Sequence, residues 1–166
     1  RRVRGCDRLM LRRARPEDLG FMQALWSAPE NARFLDPPTE RDLADAFEDD
    51  LLFVWEGDGA PAGFALLVEW VPAVYGVPAF AVARRGAGRP FLAALLHEMF
   101  GVRGAHRIEV DVTVDNARAI DFWTRAGFVR EGVWRETWKR PGEAWVDCVF
   151  LAMLEHEWRG RPPVTS

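Results

Sequence analysis

Val82-Ala-Arg-Arg-Gly-Ala-Gly-Arg-Pro-Phe91 decides the fold. It follows an apolar run at Val77–Val82 and opens a segment, Arg89–Phe100, whose apolar residues Phe91, Leu92, Leu95, Leu96, Met99 and Phe100 recur at helical spacing. Those six positions cover more than half a helix circumference, so this helix is expected to be well buried. Two glycines let the backbone bend so that successive N–H groups point outward at the helix start. With the positive helix end, and with Arg84, Arg85 and Arg89 beside it, that geometry suits an anion such as a pyrophosphate. A basic tight turn is the plain alternative. A dinucleotide loop fits poorly, because Phe91 stands where G-x-G-x-x-G needs its third glycine.

Downstream, Arg107–Val114 alternates, with Ile108, Val110, Val112 and Val114 on one face and Glu109, Asp111 and Thr113 on the other. Strand, buried helix and strand over residues 77–114 require a parallel crossover. A helix over Asn116–Ala126 follows, closed by Gly127 as a left-handed cap. Strands near Phe128–Trp138 and Glu143–Leu154 are joined by Arg140-Pro141-Gly142.

Upstream, Leu9–Ala14 is a first strand before Pro16-Glu17-Asp18, which opens a helix with the stripe Leu19, Met22, Leu25 and Trp26. Residues 37–50 make a second helix, and Leu51–Glu56 and Ala62–Trp70 pair across the turn Gly57-Asp58-Gly59. Seven acidic residues and one arginine lie between Asp36 and Asp50. The plain reading is a solvated helix face; the functional one is attraction of a cationic substrate. The order β-α-α-β-β-β-α-β-α-β-β mixes hairpins with one crossover. It defines a single-domain α/β (α+β mixed) fold, a mixed sheet flanked by helices. We divide the chain into a basic arm at 1–8, a domain at 9–158 and a Pro-rich tail at 159–166, with Gly160–Ser166 frayed.

The chain has 166 residues, 49% hydrophobic and 28% charged, with a net charge of −3. That length suits one folded domain, and the composition excludes wholesale disorder. Mild acidity argues against direct nucleic-acid binding through phosphates. No apolar run approaches the ~20 residues of a membrane span, and no apolar signal core follows the arginines of the N-terminus. Cys6 and Cys148 are too few for a structural zinc site and share no ligand spacing with His97, His106 or His156. No metal is expected, and the cysteine usage reads as reduced and cytoplasmic. Eight tryptophans stand against one tyrosine, Tyr75.

Arg85-Gly-Ala-Gly88-Arg-Pro90 resembles the R-x-x-G-x-G/A signature of the Gcn5-related N-acetyltransferases. Asn116-Ala-Arg-Ala119-Ile-Asp-Phe-Trp123-Thr-Arg-Ala-Gly127-Phe128 resembles that family's N-x-x-A-i-x-x-Y-x-x-x-G-F segment. Arg130-Glu131-Gly132, Arg135, Asp147 and Glu157-Trp158 are similar to the branch that acetylates ribosomal-protein N-termini and similar amines. The resemblance spans about residues 9–158 and implies acetyl-coenzyme A as co-substrate, used to acetylate a primary amine. That amine would be a peptide N-terminus or a small cation. The resemblance further implies that Phe80, Ala81 and Val82 pair with the pantetheine arm, and that Arg85, Gly86, Ala87, Gly88 and Arg89 hold the pyrophosphate. Pro90 departs from the family's usual Gly or Ala and removes one N–H donor, although proline is tolerated in a first helical turn. Asn116 would touch the cofactor or cap its helix.

Direct attack on the thioester requires the amine, pKa near ~10 when unperturbed, to lose a proton. Asp111 is the first choice for the base. It lies five residues before Asn116, where related ribosomal-protein alanine acetyltransferases place a glutamate. Glu109 on the same strand face and Glu69 near a strand end are the others, and a structural carboxylate is the plain reading of Asp111. Trp123 occupies the family's tyrosine position near the cofactor, and its indole is no working proton donor. Reprotonation of the thiolate then falls to water, with Thr124 and Tyr75 as weak substitutes. Trp134, Trp138 and Trp145 fall on the closing hairpin, where they border the acceptor or serve as core or homodimer contacts. His97 and Met99 are packing residues. The competing reading is a non-catalytic acyl-coenzyme A-binding module or sensor.

Overall fold

The computed structural model describes residues 9–161. The expected arm at 1–8, with Cys6, and residues 162–166 of the expected tail lie outside them. The elements are β1 (Met10–Arg13), α1 (Leu19–Ser27), α2 (Pro29–Ala32), α3 (Glu40–Glu48), β2 (Leu52–Gly57), β3 (Ala60–Val71), β4 (Val74–Val82), α4 (Gly88–Leu96), β5 (Arg107–Thr113), α5 (Ala117–Ala126), β6 (Val129–Lys139), β7 (Trp145–Leu154) and α6 (Glu155–Arg159). The sheet order is β1-β2-β3-β4-β5-β7-β6. The β4/β5 pair is parallel, as the crossover requires, whereas β1/β2, β2/β3, β5/β7 and β6/β7 are antiparallel. No helix among the described residues is long and apolar enough to cross a membrane.

Contacts gather the chain into two compact units. Among the described residues, one comprises 9–66 together with Ala79–Ala94; the other comprises Leu67–Pro78 together with 95–161. In the first, β2 is apolar on both sides because helices cover both of its faces. On one side, Met22 and Trp26 of α1 and Ala46 of α3 pack on Leu52, Phe64, Leu66, Ala79 and Ala81. Trp26 meets Phe64 edge-on at 5.8 Å. On the other side, Phe91 of α4 stacks between Trp55 at 5.6 Å and Phe80 at 4.6 Å. Gly63 makes room for it: a Cβ there would lie 2.8 Å from the Ala81 carbonyl and 3.3 Å from the Phe91 ring. Asp58 and Gly59, with φ of 55° and 76°, form the two-residue turn that joins β2 to β3.

In the second unit, β7 lies between β5 and β6, so Asp111 faces Phe150 and Thr113 faces Cys148 across the ladder. Asn116 caps α5 by accepting the Ala119 N–H at 3.2 Å, and Gly127 closes it at φ 91°. Three local expectations need correction. Thr113, on the strand face expected to carry the polar residues, is buried at 6% exposure. The helix that starts at α4 does not stop at Phe100; it widens into a π-helical stretch over His97–Val102. That stretch brings Gly101 against Trp158, where a Cβ would approach the indole to 3.2 Å. Finally, α2 and α6 are short helices that too few residues announce for a periodic pattern to reveal them.

Candidate active site

The loop after β4 belongs to the first unit. Gly86 takes φ of 86°, a conformation that L side chains rarely adopt, although a Cβ there would meet open space. The Ala87 N–H turns back to the Arg84 carbonyl at 3.3 Å, and the Phe91 N–H reaches the Ala87 carbonyl at 3.2 Å as α4 begins. Gly88 is buried, while Arg85, Gly86, Arg89 and Pro90 are exposed. Arg84 pairs with Asp58 at 3.5 Å, an exposed contact of little energetic weight. Phe91, fixed between Trp55 and Phe80, anchors the first turn of α4. An exposed helix N-terminus flanked by Arg85 and Arg89 therefore fits a pyrophosphate. The Ala87 amide is already committed within the loop and Pro90 has none, leaving Gly86, Gly88 and Arg89 as the candidate donors.

The carboxylates belong to the second unit. The parallel register of β4 with β5 runs from Val74 opposite Arg107 to Gly76 opposite Glu109 and goes no further. Two residues later Pro78, which has no N–H to give, removes a ladder bond. Where the pairing stops, a cavity of about 410 Å³ is lined by Trp70, Gly76, Val77, Pro78, Glu109, Val110, Asp111, Trp134 and Phe150. Trp70 lies over Gly76 so closely that a Cβ on the glycine would sit 2.4 Å from the indole nitrogen. Trp134 stacks on Phe150 with centroids 4.3 Å apart and planes 15° from parallel. The walls are thus aromatic and the ionisable groups that line them are carboxyls.

The three candidate bases have different surroundings. Asp111 lines the cavity and still touches water, yet enough protein surrounds its carboxyl that desolvation raises it above the ordinary aspartate value. Glu109 adds to that rise, whereas a backbone hydrogen bond and the Cys148 thiol oppose it. Cys148 is itself pushed up to about 11 by burial and by Asp111, so it is a neutral thiol at pH 7. Glu109 accepts from Arg107 Nε at 2.8 Å, and Arg107 also grips both oxygens of Glu131. Glu69 accepts the Ala73 N–H at 2.8 Å, supporting a turn in which Ala73 has φ of 67°, and lies outside the cavity lining. Among the described residues, Asp111 alone of the three joins the cavity without an ion-pair partner.

The remaining candidates scatter. Tyr75 lies opposite Ile108, on the sheet face away from Glu109, and burial followed by Glu69 raises its hydroxyl. Thr124 spends its hydroxyl on the Ile120 carbonyl at 2.7 Å. Trp123 is 4% exposed and packs edge-on against Phe122 and Phe128. Of the hairpin tryptophans, Trp134 lines the cavity; Trp138 carries Arg140 over its ring at 5.5 Å, and Trp145 is exposed. Met99 is fully buried, and His97 lies beside Trp158. Trp70, Pro78 and Phe150 were missing from the sequence reading. A tryptophan at a strand end carries no pattern of its own, and only the register reveals what Phe150 faces.

The chain thus combines a strand whose pairing with its parallel neighbour ends early, a glycine-containing loop and a buried helix, an α/β fold with a mixed sheet. The chain belongs to the acetyltransferase (GNAT) family, whose model matches residues 19–128. It is an N-acetyltransferase by that membership. Among solved structures, spermidine N-acetyltransferase from Vibrio cholerae in complex with CoA and spermine aligns at a TM-score of 0.77 and 20% identity, covering 92% of this chain and 98% of that one. The ribosomal-protein-S18-alanine N-acetyltransferase of Escherichia coli aligns at 0.71 and 22%, covering 89% and 94%. The ribosomal-protein-alanine N-acetyltransferase of Brucella melitensis aligns at 0.69 and 22%, covering 88% and 99%. At these identities the likeness is one of fold.

Proposed function

We propose that this enzyme moves an acetyl group from acetyl-coenzyme A to a primary amine by direct attack on the thioester, with Asp111 as the general base. The observation that carries this reading is Asp111 itself, a carboxyl without an ion-pair partner among the described residues, in an aromatic cavity where β4 leaves β5. When bound, acetyl-coenzyme A supplies an activated acyl group and a thiolate leaving group. Gly86, Gly88 and Arg89 would bind its pyrophosphate through backbone N–H groups, with Arg85 and Arg89 adding positive charge. Phe80, Ala81 and Val82 would offer backbone to its pantetheine arm. Asn116 already caps α5, so any contact it makes with the cofactor is additional to that role.

Asp111 accepts the ammonium proton, directly or through one water, since aspartate reaches one methylene less than glutamate. Its raised affinity for protons brings it closer to the working pH of a base than an ordinary aspartate. Trp134, Trp70 and the carboxyls attract the cationic form of the acceptor before that proton is lost. Trp123 cannot return a proton to the thiolate. Water does so, aided by a thiol pKa of only ~8.5 that makes coenzyme A a tolerable leaving group.

The test is thiol release from acetyl-coenzyme A with a panel of diamines, polyamines and N-terminal peptides, read with the mass of the acetylated product. Turnover with a cationic amine is the expected result. Trp123 at the tyrosine position favours one competing reading, a non-catalytic acyl-coenzyme A-binding module. Thermal stabilisation by acetyl-coenzyme A without turnover on any amine would establish that reading instead.

A further inference from the structure

The β6–β7 ladder carries an irregularity that the reaction as described does not use. Trp134 pairs with Cys148 and Trp138 pairs with Val146, so Arg135, Glu136 and Thr137 stand opposite Asp147 alone. Glu136 adopts φ of 49°, left-handed backbone that a glutamate enters only where its surroundings impose it. The Asp147 carboxylate supplies that constraint, accepting the Glu136 N–H at 2.8 Å. The Asp147 main chain is held separately, its carbonyl accepting the Val114 N–H at 3.0 Å. A charge-assisted bond therefore closes the bulge, while the strand beneath keeps its own anchor.

Bulges re-aim the side chains beside them. Trp134 is the residue at which this one begins. Its indole is about half exposed, stacks on Phe150, and belongs to the linings of both the 410 Å³ cavity and the larger open cleft formed by Arg135, Glu136, Thr137 and Asp147. It stands between the cavity that Asp111 lines and the bulge.

We propose that Asp147 is a positioning residue that fixes the bulge at Glu136, and that Trp134, so placed, is the specificity-determining wall for the acceptor amine. The inference rests on the reading that the cavity beside Asp111 receives the acceptor.

Two measurements on the full chain test it. In steady-state kinetics, Asp147→Ala raises the acceptor KM at least fivefold while kcat and the acetyl-coenzyme A KM stay within twofold. Asp147→Asn keeps an oxygen for the Glu136 N–H and restores the acceptor KM. The double variant Asp147→Ala/Glu136→Gly restores it too, because glycine enters the left-handed conformation without help. Trp134→Ala reorders the acceptor panel as Asp147→Ala does.

In 19F NMR of 5-fluorotryptophan-labelled protein, Trp134→Phe identifies the Trp134 resonance. Asp147→Ala shifts that resonance and Asp147→Asn leaves it in place. Equal effects on both substrate KM values, no rescue by either route, or an unmoved Trp134 resonance in Asp147→Ala overturns the proposal. A wild-type enzyme that turns over no amine overturns the proposed function instead. In that case the NMR arm still decides the positioning role, and a Trp134 resonance that no amine perturbs overturns the specificity role.

Discussion

Asp111 and Glu109 are separated by one residue on the same strand face, and their neighbours differ. Arg107 holds Glu109 in an ion pair, while Asp111, still in contact with water, has protein packed round its carboxyl and pairs with no cation among the described residues. Replacing Asp111 by Asn should lower kcat/KM about 100-fold, within the usual range for general-base assistance. The loss should be greatest at mildly acidic pH, where little free amine exists without help. The acid limb of the wild-type profile should fall above the ~3.9 of an ordinary aspartate, because the folded carboxyl binds its proton more tightly. Full activity of Asp111→Asn from pH 6 to 9 would remove Asp111 from the mechanism. Stability supplies a second check. A carboxyl raised by folding costs the folded state once it ionises, so the cost is absent below the unfolded value and complete above the folded one. Asp111→Asn should therefore raise Tm at pH 7, and the gain should vanish near pH 3, as thermal unfolding at the two pH values would show.

Elements, in turn, hold these residues through a few small side chains. Gly63 lets Phe91 settle between Trp55 and Phe80, and Phe91 anchors the first turn of α4 beside the loop proposed to bind pyrophosphate. Gly63→Val would push against the Ala81 carbonyl and the Phe91 ring at once. The expected result is a loss of about 1–3 kcal/mol of stability, as overpacking commonly costs. It should come with a weaker Kd for acetyl-coenzyme A by calorimetry; an unchanged Kd would mean that the loop does not depend on Phe91. Much at this scale was legible beforehand. The alternation of Arg107–Thr113, the Asn116 cap, the Gly127 cap and the Asp58-Gly59 turn each follow from a local rule that a few neighbouring residues satisfy. The bulge at 135–137 was not legible. Nothing in Trp134-Arg-Glu-Thr-Trp138 distinguishes a regular strand from one with two extra residues, because register belongs to a pair of strands.

For the whole molecule the question is charge. The acidic stretch at 36–50 is a solvated helix face on the plain reading and an attractor for a cationic acceptor on the functional one; within α3, Asp45 already pairs with Arg41 at 3.6 Å on the open surface. Asp42 is committed to the helix start, because with Thr39 it forms the capping box, and those hydrogen bonds hold its carboxyl below the ordinary range. The informative variant is Asp45→Asn/Glu48→Gln/Asp49→Asn, which spares the cap. Its KM for a cationic amine should rise about two- to fivefold at 0.01 M salt, where the Debye length is ~30 Å, and match wild type near 1 M, where it is ~3 Å. An unchanged KM at low salt assigns those carboxylates to solvation alone.

The sequence by itself determined the class of fold and, through its motifs, the family, because periodicity, caps and turns are local and short motifs carry their chemistry with them. It also proposed Asp111, by its spacing from Asn116. Only the tertiary structure decided which carboxylate, among the described residues, pairs with an arginine, and that Trp70, Pro78, Trp134 and Phe150 wall the cavity around Asp111. Those facts depend on strand register and on where the β4/β5 pairing stops. They are set by contacts between residues far apart in the chain, which no local pattern records.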